Sequence, residues 1–86
     1  MLQILDFHAT WCGPCKMLSP VLDAIEKENT NINIKKLNVD ENKELVTKYG
    51  VTSVPTVIFV KNDQEVSRFN GVQSKEKIQS LINQYK

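Results

Sequence analysis

The chain has few of the residues that would mark it for several common fates. It has two cysteines in 86 residues, both in one short stretch, where a secreted disulfide scaffold would spread more of them along the chain. Charge is balanced at a formal +1, with lysines and acidic residues interspersed, so nothing steers a nucleic acid. No apolar run is long enough to span a bilayer. The start, Met1-Leu2-Gln3-Ile4-Leu5, is apolar but meets Asp6 and has no basic lead, which argues against a signal peptide and for the cytosol. There is one histidine, and no linker, repeat or low-complexity tract. What remains is an ordinary soluble composition, sized for a single small domain over residues 1–86 with a modest core.

Hydrophobic periodicity orders that domain. Leu2 to Phe7 reads as a strand with Asp6 on the face of Ile4. From about Cys12 to Glu28, Leu18, Val21, Leu22 and Ile25 form one helical stripe, with Pro20 expected to kink it. Ile32 to Val39 reads as a strand whose apolar parity switches midway. Asp40 is expected to cap a short helix over about Asn42 to Tyr49. Thr56 to Val60 is apolar on both parities, as a central strand covered on both sides would be. Asn62-Asp63 turns the chain into a more polar edge strand, Glu65 to Phe69. Ser74 caps a last helix striped by Ile78, Leu81, Ile82 and Tyr85. The order β-α-β-α-β-β-α implies an α/β fold: a four-stranded mixed sheet with helices on both faces.

The chemistry concentrates at Trp11-Cys12-Gly13-Pro14-Cys15-Lys16, where the first strand's loop enters the first helix. A helix start offers unpaired N–H donors and partial positive charge, which favour a thiolate at Cys12. Cys15 follows one turn later, within disulfide reach. Gly13 admits close backbone approach and Pro14 stiffens the first turn. Cys12 could then attack a substrate disulfide and Cys15 resolve the mixed disulfide. Half of a zinc site is the first alternative, but a structural zinc wants four ligands and only His8 is to hand, unless a dimer shares the metal. An inert buried pair is the second, set against a loop-to-helix position expected to be exposed.

This six-residue string resembles the active-site motif of the thioredoxin family, matching it letter for letter. The resemblance runs along nearly the whole chain: Asp6-Phe7, Pro20, Lys36-Leu37-Asn38-Val39-Asp40, Tyr49-Gly50-Val51, Val54-Pro55-Thr56 and Gly71 stand at the family's spacings. It implies a thioredoxin-like fold and a disulfide-reducing dithiol carrier. The redox group would be the Cys12–Cys15 disulfide, with no bound cofactor and no metal. Partners would be protein disulfides and a reductase, a flavoprotein drawing on NADPH. The resemblance further implies Asp6 as the buried acid that takes a proton from Cys15, with Lys36 nearby moderating its charge. It implies a cis bond before Pro55, with Val54 pairing to an extended substrate segment and Trp11 and Gly71 in an apolar rim around Cys12. A binding subunit of the same fold, non-catalytic or redox-gated, is the competing class. Serine at both cysteines would separate the two.

Two features depart from the family. Thioredoxins usually carry a further strand and helix before the segment matching Leu2, so the edge at Ile32–Val39 is expected to be exposed and the protein less stable or self-associating. His8 stands where an aromatic residue is common, and is expected to place a titratable ring near Cys12.

Overall fold

The structure is a computed structural model covering Met1–Lys86. Four strands and three helices alternate as β1 (Leu2–His8), α1 (Gly13–Glu28), β2 (Ile32–Asn38), α2 (Lys43–Tyr49), β3 (Thr56–Lys61), β4 (Gln64–Asn70) and α3 (Lys75–Tyr85). The strands lie in the order β2-β1-β3-β4. β1 and β2 run parallel, as a helical crossover requires, and β3 runs antiparallel to both β1 and β4. Positive φ at Asn62 and Asp63 closes the β3–β4 hairpin.

Strand alternation sends each face to a different core. Leu2 and Ile4 of β1 and Val57 and Phe59 of β3 meet the stripes of α1 and α3: Leu18, Leu22, Ile25, Ile78 and Ile82, all fully buried. Leu5, Phe7, Ile58 and Val60 face the other way, against Leu45, Val46 and Tyr49 of α2. Helices therefore cover both faces. Asp6 falls on the α1 face by the same alternation.

Two local expectations need correction. Asp40 does not cap α2. Asn42 holds the cap position, but its side chain caps no amide of α2, and Asn38 organises the turn: its Oδ1 accepts from the Asp40 amide, and its carbonyl accepts from Asn42 Nδ2. β2 ends at Asn38, one residue short of Val39, whose amide makes the last bond of the parallel pairing, to the His8 carbonyl. α1 continues past Pro20 as one helix, with the Pro20 ring exposed. Ser74 does cap α3, its hydroxyl accepting from the Lys77 amide at 3.1 Å.

Candidate active site

Cys12 is not the first residue of α1 but its N-cap, with extended backbone. A cap side chain normally offers an oxygen to the helix's free amides; here a sulfur takes that place. The Cys15 amide donates to Cys12 Sγ at 3.1 Å. Pro14 occupies the first turn, where its missing N–H removes no helical bond, and that turn has no acidic residue to oppose a negative charge on sulfur. The two cysteines are joined as a disulfide, with Cα atoms 5.3 Å apart.

The expectation of an exposed pair is overturned at the residue level. Cys12 is 4 % exposed and Cys15 6 %, packed with Ala9 and against Val39 and Val54. The loop after β1 folds back over the helix start, the Cys12 amide donating to the Ala9 carbonyl. Gly13 and Pro14 beside them are exposed, and a Cβ on Gly13 would meet nothing. Close approach at Gly13 is therefore open to an outside molecule, not to this chain. Trp11 is 72 % exposed and forms an apolar groove with Val39, Val46, Val51 and Val54. The Val54–Pro55 peptide is cis, and no loop hydrogen bond engages the Val54 backbone. Gly71, with φ at +77°, donates its amide to the Pro55 carbonyl at 2.9 Å, which ties it to the residue that follows the cis bond.

Behind the disulfide lies a cavity of about 180 Å³, bordered by Asp6, His8, Cys15, Ser19 and Lys36. Asp6 is 2 % exposed, and its Oδ1 meets no donor of the protein. Burial pushes its carboxyl above the ordinary range; the positive charges of His8 and Lys36 counter this and Asp23 adds to it. Lys36 is the partner of Asp6 in the β1–β2 register. Its ammonium, however, is bound elsewhere: Nζ donates to Ser19 Oγ and Asp23 Oδ1, both at 2.6 Å. The two α1 residues that hold it were invisible to the sequence pattern, because which turn of α1 crosses β2 is set by packing. His8 borders the cavity on the Cys15 side of the disulfide and is no part of the Trp11 groove. Val46 and Val51 were likewise not foreseen as groove walls, although both belong to the apolar pattern around α2.

A mixed four-stranded sheet carrying a Cys-x-x-Cys disulfide at the start of its first helix defines a thiol–disulfide oxidoreductase. The comparisons specify which kind. The thioredoxin family's sequence profile matches residues 1–84. The chain is 45 % identical over 84 residues to thioredoxin of Chlamydia caviae, covering 98 % of this chain and 82 % of that one. It is 43 % identical over 83 residues to thioredoxin of Bacillus subtilis, covering 95 % and 80 %. Among solved structures, Fasciola hepatica thioredoxin superposes with a TM-score of 0.92 at 40 % identity, over 99 % of this chain and 81 % of that one. A mutant thioredoxin from Halobacterium salinarum does so with 0.90 at 38 % identity, over 98 % and 74 %. The chain belongs to the thioredoxin family, and its redox group is its own disulfide. No helix is long and apolar enough to cross a membrane.

Proposed function

We propose that the reduced protein attacks protein disulfides with Cys12 and resolves the mixed disulfide with Cys15, with Asp6 as the base for Cys15. The observation that carries this is the Cys15 amide directed at Cys12 Sγ from a helix start free of acidic residues. That donor and the helix's partial charge stabilise Cys12 as a thiolate. The thiolate displaces one substrate sulfur, which leaves as a thiolate and takes up a proton. Cys15 then gives its proton to Asp6 and attacks Cys12 Sγ; the second substrate sulfur leaves and is protonated, and the disulfide is restored. A raised carboxyl pKa suits Asp6 to this step, since a base works best near ambient pH. Lys36, held by Asp23, places positive charge beside Asp6 without closing an ion pair on it.

The groove beside Trp11, the unengaged backbone of Val54, and Gly13, Pro14, Pro55 and Gly71 form the substrate rim. An extended substrate segment pairs there in the manner of an added strand. A separate flavoprotein reductase using NADPH recharges the pair, and a reducing compartment such as the cytosol is where this direction of exchange is useful. A second copy of the chain is a further partner, at the open β2 edge.

Insulin reduction with dithiothreitol as electron donor tests the reading. Cys12→Ser is expected to abolish turnover. Cys15→Ser is expected to leave a stable mixed disulfide between Cys12 and the substrate, seen by mass spectrometry. Turnover persisting in Cys12→Ser, or trapping through Cys15 instead, overturns the assignment.

A further inference from the structure

The buried base poses a transport problem. Asp6 is 2 % exposed, so a proton it takes from Cys15 needs a way out before the next cycle. The charged groups around it are few. From β2 comes Lys36, whose Nζ is bound to Ser19 and Asp23 of α1. From α1 comes Asp23 itself, occupied by that lysine, and Lys16 at the cavity border. An ammonium group keeps its proton at neutral pH and accepts none. From β1 comes His8, two residues after Asp6 and hence on the same face of the strand. It is half-buried, so it borders both the cavity and solvent. Its backbone is fixed at the strand end, its carbonyl accepting from the Val39 amide at 2.8 Å. It makes no side-chain hydrogen bond or ion pair that would commit the ring elsewhere.

We infer that His8 is the outer group of the proton path that serves Cys15: a positioning residue that receives, across the cavity, the proton Asp6 has taken and releases it to solvent. The inference rests on the reading of Asp6 as the base. The cavity has room for several bridging waters, so direct contact between the two side chains is not required. The balance is simple. Cys15 loses one proton, the departing substrate thiolate gains one from solvent, and His8 ends each cycle as it began. Imidazole suits the task because it accepts and releases a proton between pH 5 and 8. When protonated, its positive charge draws the Asp6 carboxyl down.

His8 is the sole histidine of the chain, so its ring resonances are assigned without ambiguity. In a pH titration of the reduced protein by NMR, they are expected to show two inflections. The second should follow Asp6 and vanish in Asp6→Asn. In stopped-flow measurements, His8→Gln and His8→Phe are expected to slow resolution of the mixed disulfide about five- to tenfold, a modest share of what a proton-transfer group contributes. The pH profile of that step should move upward, while the alkylation rate of Cys12 stays unchanged. A single His8 inflection indifferent to Asp6→Asn, or variants that resolve at the wild-type rate, overturns the inference. Slow resolution in Asp6→Asn beside wild-type rates in both His8 variants sinks this path alone. Unchanged resolution in Asp6→Asn sinks the base assignment with it. The titration needs no His8 variant, so it decides the matter even where a substitution disturbs folding.

Discussion

Asp6 illustrates how one residue ties stability to chemistry. Burial raises its carboxyl pKa in the folded protein above the ordinary aspartate range, so the folded state holds this proton more tightly than the unfolded chain does. At pH below the unfolded value both states are protonated and Asp6 costs little. As pH rises from there through the raised folded value, the unfolded chain ionises first and stability falls; above the folded value the full penalty remains. Asp6→Asn removes the charge. It is expected to raise stability at neutral pH by about 1–3 kcal/mol, the scale of a poorly satisfied buried group, and to flatten this pH dependence. Urea unfolding of both proteins between pH 4 and 8 checks the direction. Equal stability at pH 8 would mean that the carboxyl is solvated. The place of Asp6 was legible in the sequence, since strand parity put it with Ile4. The shielding of Cys12 was not. It comes from Ala9, Val39 and Val54, three residues far apart in the chain whose convergence no local pattern records.

At the scale of elements, helices that carry a stripe and a cap were readable from one end to the other. α3 is the clearest, with Ser74 at its cap and Ile78 and Ile82 in the core. Ser74→Ala is expected to cost about 1 kcal/mol, which in a domain of this size lowers Tm by roughly 4–8 °C. An unchanged melting temperature would show that the cap bond contributes nothing net. α2 was readable as a helix but not in its capping, because Asn38 organises that turn from the end of the preceding strand. The clamp between α1 and β2 was likewise hidden, since it needs the angle at which the helix crosses the sheet. Its Lys36–Asp23 pair has side chains 34 % and 56 % exposed, so the pair itself contributes little stability. Its effect is on Asp6, whose pKa Asp23 raises. Asp23→Asn is expected to lower the Asp6 pKa while changing unfolding stability by less than about 1 kcal/mol. A carboxyl NMR titration in which Asp6 stays put would uncouple the clamp from the site.

At the scale of the molecule, the sheet has two open edges, and β4 and β2 protect theirs differently. β4 is polar, and Arg68 folds across it to reach Glu65 and the Tyr49 carbonyl. β2 carries Lys35 and Lys36 at its middle. Lysines on an edge strand oppose pairing with another sheet, because a two-fold antiparallel match sets each lysine near its own copy. Only one of these two acts freely. Lys36 points to the α1 face and is neutralised by Asp23, whereas Lys35 lies on the opposite face, exposed, and joins none of the three salt bridges. The barrier to self-association is thus a single unpaired charge, and salt screens it, the Debye length falling from about 10 Å at 0.1 M to about 3 Å at 1 M. Sedimentation velocity is therefore expected to show a dimer that grows with ionic strength, the reverse of an association held by ion pairs. Lys35→Thr should bring that dimer down to low salt without altering the Cys12 site, which lies beyond the far end of β2. A sedimentation coefficient independent of concentration and salt, in both proteins, would mean that the β2 backbone is closed to a second copy by something other than charge.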